Sequence, residues 1–270
     1  GILAVTASVA LSGSQVVATL LNNIAIEMSD ISVKKTEQTI TSNVANLYMS
    51  ILAMEKTAGL LDQNLKNLEK LYQSTSNAVK VGVSEQTDAD QISVQVSSMQ
   101  SRINATKRSL EMLYNSLALQ LGQGVDYHIT LTQDLTEVMN ADAAMELLYT
   151  DFNLDQNYDY QLLKKNTELS KKQITLAAMD YVPTVSAYYQ YSAKEYFSDE
   201  PTMNMTAPNV VGVSLKVPIW SSGRRAASVS EKKIAYQAAQ NKLVDTENAL
   251  RVQDKQLRYN LSSAYENYPK

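Results

Sequence analysis

The side chains that most often carry out catalysis or bind metals are scarce in this 270-residue chain. It contains no cysteine and one histidine, His128, which excludes disulfides, cysteine nucleophiles, thiolate metal sites and His-rich metal centres. Its carboxylates lack the paired arrangement that acid–base catalysis needs. It also lacks a phosphate-binding glycine loop and a nucleophile elbow. We therefore expect no catalytic residue, no cofactor and no metal site, and we assign His128 no chemical role.

The composition favours long regular elements. Eight glycines and five prolines in 270 residues leave room for few turns, and the net charge of -4 argues against a nucleic-acid partner. Tyrosine outnumbers phenylalanine 16 to 2, which suits a boundary between apolar material and water. Gly1, followed directly by a strand-like run, indicates a trimmed chain without a visible secretory signal. No segment is expected to form a transmembrane helix.

Three segments alternate between apolar and polar residues, which predicts strands with two unlike faces. They are residues 2–11, 184–194 and 210–220. A polar loop, 195–209, joins the second to the third, so 184–220 is predicted to be a β-hairpin.

Two heptad seams predict a long antiparallel helical hairpin over 12–124. Its turn lies near 81–88, where Gly82 suits a helix C-terminus and Ser84 or Thr87 suits the next N-cap. Apolar residues recur every four and three positions in both seams. The first comprises Leu47, Ile51, Met54, Ala58, Leu61, Leu65, Leu68 and Tyr72, and the second Ile92, Val96, Met99, Ile103, Thr106, Leu110, Leu113, Leu117 and Leu121.

The remaining segments complete a mainly α chain with a β part. Residues 125–157 form a mixed segment, with a short extended piece over 127–132 and a short helix over 140–149. A helix is expected over 158–183 and another over 221–270. Strand 2–11 followed by Ser-Gly-Ser and a long helix resembles strand 210–220 followed by Ser-Ser-Gly and a long helix, which indicates an internal repeat.

The order of these motifs resembles the TolC-like outer-membrane efflux channels of Gram-negative bacteria. Residues 218–224, Pro-Ile-Trp-Ser-Ser-Gly-Arg, are similar to the P-L-F-S-G-G-R signature of that family at a strand-to-helix junction. Val182-Pro183-Thr184-Val185 is similar to its entry into the barrel. Val81-Gly82-Val83-Ser84, with Thr87 and Asp88, is similar to its helical-hairpin tip.

The resemblance implies a homotrimer whose protomers share one outer-membrane barrel and a periplasmic tunnel of helical hairpins. It implies an outer-membrane and periplasmic location, with a periplasmic adaptor protein and an inner-membrane pump as partners. Residues 2–11 and the 184–220 hairpin would be barrel strands. Residues 125–157 would form an equatorial segment, and residues 221–270 would form the start of a second tunnel helix. The function implied is a passive export duct of a tripartite efflux or type I secretion system.

Particular residues follow from this interpretation. The tip residues Val81, Gly82, Val83 and Thr87 would contact the adaptor, although Gly82 is also explained as a plain helix stop. Strands of about ten residues are long enough to cross a bilayer at a tilt. The residues expected to face lipid are Val211, Val213, Leu215, Val217 and Ile219, and those expected to face the water-filled lumen are Gln190, Ser192, Ser214 and Lys216.

A second interpretation belongs to another class of protein. The chain would be a structural coiled-coil protein, either a periplasmic adaptor or a secreted filament subunit, with the β-hairpin as a soluble cap. The two interpretations differ at the apolar strand face. A soluble cap tolerates charges at Val213, Leu215 and Val217, whereas a membrane barrel does not.

Overall fold

A computed structural model describes residues 2–124, 127–138, 141–194 and 208–267. The chain divides into two compact units, one of residues 1–35 with 151–260 and one of residues 36–150 with 261–270. The elements in chain order are β1 (Ile2–Leu11), α1 (Gly13–Lys80), α2 (Gln86–Gln120), α3 (Leu135–Val138), α4 (Ala141–Tyr149), α5 (Tyr158–Ala178), β2 (Thr184–Lys194), β3 (Asn209–Lys216) and α6 (Arg224–Glu266). Short 3-10 turns, Leu154–Gln156 and Met179–Tyr181, flank α5.

The three strands form one antiparallel sheet in the order β1-β2-β3. Val9 pairs with Ala187, and Ala187 pairs with Val213. β1 and β2 coincide with the predicted strands, whereas β3 ends at Lys216 and not at residue 220. Pro218 explains the early end, because proline has no N–H for the ladder and restricts the residue before it. Most of the predicted 195–209 loop lies outside the described residues.

The predicted helical hairpin is present, and its seams carry the core of the second unit. Ile51 on α1 is fully buried and Ile103 on α2 is 1% exposed. The Tyr114 hydroxyl donates a hydrogen bond to Glu55 Oε1 at 2.6 Å and joins the two helices. Burial and the Glu55 carboxylate together raise the pKa of Tyr114 to about 12. The seams weaken at their ends, where Tyr72 and Leu121 are exposed.

The segment that follows the hairpin packs along it through polar contacts. Tyr48 Oη lies 2.7 Å from Gln133 Oε1, and Lys56 Nζ lies 4.0 Å from Asp134. Asp134 also accepts a hydrogen bond from the Thr136 N–H at 3.1 Å, as an N-cap does. Residues 127–132 belong to neither a helix nor the sheet, so the extended piece predicted there is absent from the strand pairing. The short helix predicted over 140–149 is present as α4.

In the first unit, α1 packs beside α5, and α5 packs beside α6. An ion pair joins Lys35 to Asp159, and another joins Lys165 Nζ to Glu27 Oε2 at 2.5 Å. Thr167 Oγ1 lies 3.4 Å from the carbonyl oxygen of Ala239 on α6. These contacts bring the helices that follow β1 and β3 against the helix that precedes β2.

The expectation that no helix is apolar enough to span a membrane is wrong by the simplest criterion. Within the described residues, α1 contains an 18-residue window with a mean hydropathy of 1.3 and few charges. Only 11% of that window is buried in the isolated chain. Length and composition alone are weak evidence for a membrane span.

Candidate membrane-facing sheet, helical tip and strand-to-helix junction

One face of the sheet is apolar from strand to strand. The register places Val213 beside Ala187, which lies beside Val9, and it places Leu215 beside Val185. Val211, Val213 and Leu215 are 76%, 73% and 63% exposed, respectively, so none of the residues that the structure describes covers them. The described members of this face are Val5, Ala7, Val9, Val185, Ala187, Tyr189, Tyr191, Val211, Val213 and Leu215.

The opposite face is polar. Gln190, Ser192, Ser214 and Lys216, predicted to share a face, lie in one register set: Ser214 pairs with Ser186, and Lys216 with Thr184. The same set includes Tyr188, whose ring lies over Gly212 so closely that a Cβ at position 212 would overlap it. The sequence of the three strands contains only two charged residues, Lys194 and Lys216, and no acidic residue.

Two of the residues predicted to face lipid lie outside the strands of the sheet. Val217 and Ile219 follow the last strand residue, Lys216, and therefore belong to the connection to α6 and not to the apolar strand face. Both side chains are exposed, Ile219 to 89%. Trp220, which follows, is 85% exposed and donates its indole N–H to Ser222 Oγ at 3.1 Å.

The tip of the helical hairpin is a Schellman turn. Gly82 has φ +77°, its N–H bonds to the carbonyl of Val79 at 3.0 Å, and the Val83 N–H bonds to the carbonyl of Ala78 at 2.9 Å. In such turns an apolar residue usually packs back onto the helix, but Val83 is 79% exposed. Val81, just before the glycine, is 74% exposed.

The start of α2 differs from both predicted caps. Glu85 is the N-cap, and the Asp88 carboxylate accepts its N–H at 3.2 Å. This is a reciprocal capping arrangement in which Glu85 takes the place of the usual Ser or Thr and Asp88 that of the usual Glu or Gln. Ser84 therefore precedes the cap, and Thr87 lies in the first turn of α2, where it is exposed.

The junctions between strands and helices are built from small residues. Ser12 precedes α1, and its N–H is 3.3 Å from Gln15 Oε1, which completes a cap. A side chain at Gly13 would place its Cβ 2.7 Å from Met179 Sδ, so the junction packs tightly on the turn before β2. At the second junction, Ser222 and Gly223 both adopt positive φ before α6 begins.

The expected repeat is therefore only partly regular. β1 and β3 both pair with β2 in antiparallel fashion, and both lead into a long helix. One residue separates β1 from α1, whereas residues 217–223 separate β3 from α6.

Sequence reasoning missed Arg225, which is only 9% exposed. Its Nη1 donates to the carbonyl oxygen of Pro218 at 3.0 Å, and its guanidinium lies 5.3 Å from the centre of the Tyr181 ring. The resemblance drew attention to Arg224, the arginine one position earlier, which is exposed. The burial of Arg225 depends on Tyr181, a residue distant in the sequence, so no local sequence pattern predicts it.

Among the described residues, no three His, Asp or Glu side chains come together to hold a metal ion. The candidate functional features are the two-faced sheet, the tip of the hairpin and the junction around Arg225.

Comparisons with known proteins support a fold assignment. No protein-family model matches the chain, and no curated protein matches it. Solved structures do match: the outer membrane protein VceC from Vibrio cholerae has a TM-score of 0.67 and 16% identity over 95% of this chain and 70% of that one. The outer-membrane channel OprN has a TM-score of 0.74 and 14% identity over 97% and 65%. The MtrE outer membrane channel of Neisseria gonorrhoeae has a TM-score of 0.68 and 16% identity over 97% and 64%.

The chain thus spans about two thirds of the length of each of these channels. The matches cover 95–97% of this chain, a span that includes both the long helical hairpin and the small antiparallel sheet. The chain therefore has the TolC-like fold.

Proposed function

We propose that this chain forms part of an outer-membrane efflux channel, a passive export duct that crosses the outer membrane and continues through the periplasm of a Gram-negative bacterium. The observation that carries the proposal is the segregation of the sheet into an exposed apolar face and a polar face. A water-soluble sheet buries its apolar face against its own chain, whereas the outer face of a membrane barrel is apolar because lipid covers it.

A homotrimer would complete the wall. β1 and β3 are the edges of the described sheet, and each has one side without a strand partner there. Unpaired backbone groups are too costly in lipid, so the edges must join further strands. Symmetric copies of the chain would provide such strands. The same copies would also pack against the exposed apolar residues along α1 and α6.

The most direct test of the membrane assignment compares two single variants, which place a lysine at adjacent positions on opposite faces of the sheet. Val213→Lys puts an ammonium on the apolar face, where it costs about 2–4 kcal/mol near the middle of a bilayer. Ser214→Lys puts the same charge on the polar face, which already carries Lys216. We expect Val213→Lys to reduce the amount of protein in the outer-membrane fraction severalfold and Ser214→Lys to leave it near the wild-type amount.

The same pair of variants discriminates between the two classes of protein. In a soluble cap both positions face water, so both variants would accumulate normally and the protein would be recovered in the soluble fraction. That result would overturn the channel proposal and favour the coiled-coil adaptor or filament. Export of a toxic dye by a strain lacking its own duct, restored by the wild-type gene, measures the duct function directly.

The proposed partners are a periplasmic adaptor and an inner-membrane pump, in a tripartite efflux or type I secretion assembly. The support comes from the tip, where Val81 and Val83 are exposed on either side of Gly82 and are not covered within the described part of the chain. Exposed apolar side chains at the end of a helical pair are suited to contact with another helical tip.

A charge at the tip tests the adaptor contact. We expect Val83→Asp to abolish dye export without lowering the amount of protein in the outer membrane, because Val83 makes little contact within the chain. Val94→Asp is the control, since Val94 is a similarly exposed valine about two turns along α2. Normal export by Val83→Asp, or equal loss in both variants, would contradict a specific contact at the tip.

A further inference from the structure

A cavity of about 480 Å³ lies at the strand-to-helix junction of the first unit. It is bounded by the start of α1, the turn before β2 and the connection from β3 to α6. Three cationic side chains line it, Lys216, Arg224 and Arg225, together with one acidic side chain, Asp180. The cavity therefore has an excess of two positive charges.

These cations have no carboxylate partner within the ranges that the structure describes. The contacts of Arg225 are the carbonyl oxygen of Pro218 and the ring of Tyr181, and neither carries a full negative charge. Arg225 is nevertheless more than nine-tenths buried. Buried charges in proteins are normally paired, because removing a charge from water is costly. A guanidinium in this position, with donors beyond the one used by Pro218, is suited to an anionic ligand.

Two further features favour an anion in this cavity. α1 and α6 both begin at its wall, and the N-terminal ends of helices carry partial positive charge. The hydroxyl-bearing residues Ser12, Ser14 and Ser221 also line it, and hydroxyls donate hydrogen bonds to oxyanions. Planar guanidinium groups match phosphate and carboxylate oxygens in particular.

The position of the cavity indicates where its ligand comes from. Thr184 and Lys216, the strand residues in its lining, form the last register pair on the polar face of the sheet. The cavity thus continues the polar face and not the apolar one. This choice of source rests on the proposed function, in which the polar face borders water.

We propose that this junction cavity is a binding site for phosphate-type oxyanions that arrive from water, held by Lys216, Arg224 and Arg225. In an assembled channel it would bind the anionic group of a passing solute. The assignment goes beyond a passive duct, because it gives one level of the conduit a preference for anions over cations.

The test measures binding of inorganic phosphate to the purified, detergent-solubilised protein by calorimetry at constant ionic strength. We expect the double variant Lys216→Gln with Arg224→Gln to bind phosphate at least about tenfold more weakly. The reason is that the loss of one charge-assisted hydrogen bond lowers the affinity by about tenfold or more. Both side chains are exposed, so the variant is expected to fold. Asp180→Asn is expected to bind phosphate more tightly, because it removes the negative charge in the lining.

The matched control removes two exposed lysines outside the cavity, Lys171→Gln with Lys233→Gln, and should bind phosphate as the wild type does. Failure of the wild type to bind phosphate, or equal binding by both double variants, would overturn the site. A separate titration uses phosphatidylglycerol in mixed micelles. If only the lipid binds and inorganic phosphate does not, the water-borne source is wrong. Failure of the channel proposal itself would appear independently, as loss of outer-membrane fractionation.

Discussion

At the scale of single residues, two glycines of the helical hairpin have opposite effects on the stability of the folded chain. Gly82 has φ +77° and ends α1, a backbone conformation that any L side chain disfavours. Gly59 lies in the middle of α1 with an open space around the position of a Cβ. Gly82 is therefore required by the turn, whereas Gly59 only adds flexibility to the unfolded chain.

Alanine at each position separates these effects. Gly82→Ala should lower the free energy of unfolding by about 1–2 kcal/mol, the cost of a left-handed conformation for a residue with a Cβ. Gly59→Ala should raise it by about 0.5–1 kcal/mol, because alanine is the better helix former. Urea unfolding of the solubilised protein measures both. Equal effects of the two substitutions would mean that the tip does not adopt the Schellman turn.

Residues such as Arg225 and Glu85 show why the sequence predicted only part of the sites. Gly82 was predicted as a helix end because a glycine after a heptad run is a local signal. The cap at Glu85 was not, because Ser84 and Thr87 are better N-cap types and the choice depends on where the turn finishes. Arg225 was missed because its burial comes from Tyr181, more than forty residues away.

At the scale of elements, the strand patterns predicted both faces of the sheet. Alternation places Val213 and Ser214 on opposite faces whatever the neighbouring strand, so the sets that share a face were predictable. The register itself was not predicted, and neither was the early end of β3 at Lys216, before Pro218. The alignment of Tyr188 with Gly212 emerges only from that register.

The contact between Tyr188 and Gly212 yields a prediction about the sheet. Gly212→Ala should destabilise the wild type, since the new methyl displaces the Tyr188 ring, but should be nearly neutral in a Tyr188→Ser background. We expect a coupling free energy of about 0.5–1 kcal/mol from a double-mutant cycle of unfolding. Val211→Ala, on the opposite face, is the control and should be additive with Tyr188→Ser. Additivity at Gly212 as well would show that the ring does not cover it.

At the scale of the whole molecule, the fold is shared with channels that are only 14–16% identical to this chain. At such identity most aligned residues differ, so the shared fold does not depend on a shared sequence. In this chain the patterns that specify the fold are heptad seams, alternating strands and small residues at the junctions. Those patterns explain why the fold was predictable from the sequence. The trimer, the adaptor and the pump followed only from the resemblance, because they depend on surfaces whose partners lie outside the chain.

The central claim is that one face of the sheet contacts lipid and the other contacts water. The chain contains no cysteine, so single cysteines can be introduced without background labelling. In outer membranes, Val211→Cys, Val213→Cys and Leu215→Cys should resist labelling by a water-soluble maleimide. In a second experiment, the same cysteines are labelled with a fluorophore in the unfolded chain, which is then refolded into lipid. A quencher carried by the lipid should then quench the fluorescence of each labelled variant. Gln190→Cys, Ser192→Cys and Ser214→Cys should show the opposite behaviour. Uniform labelling from water at all six positions would contradict the account.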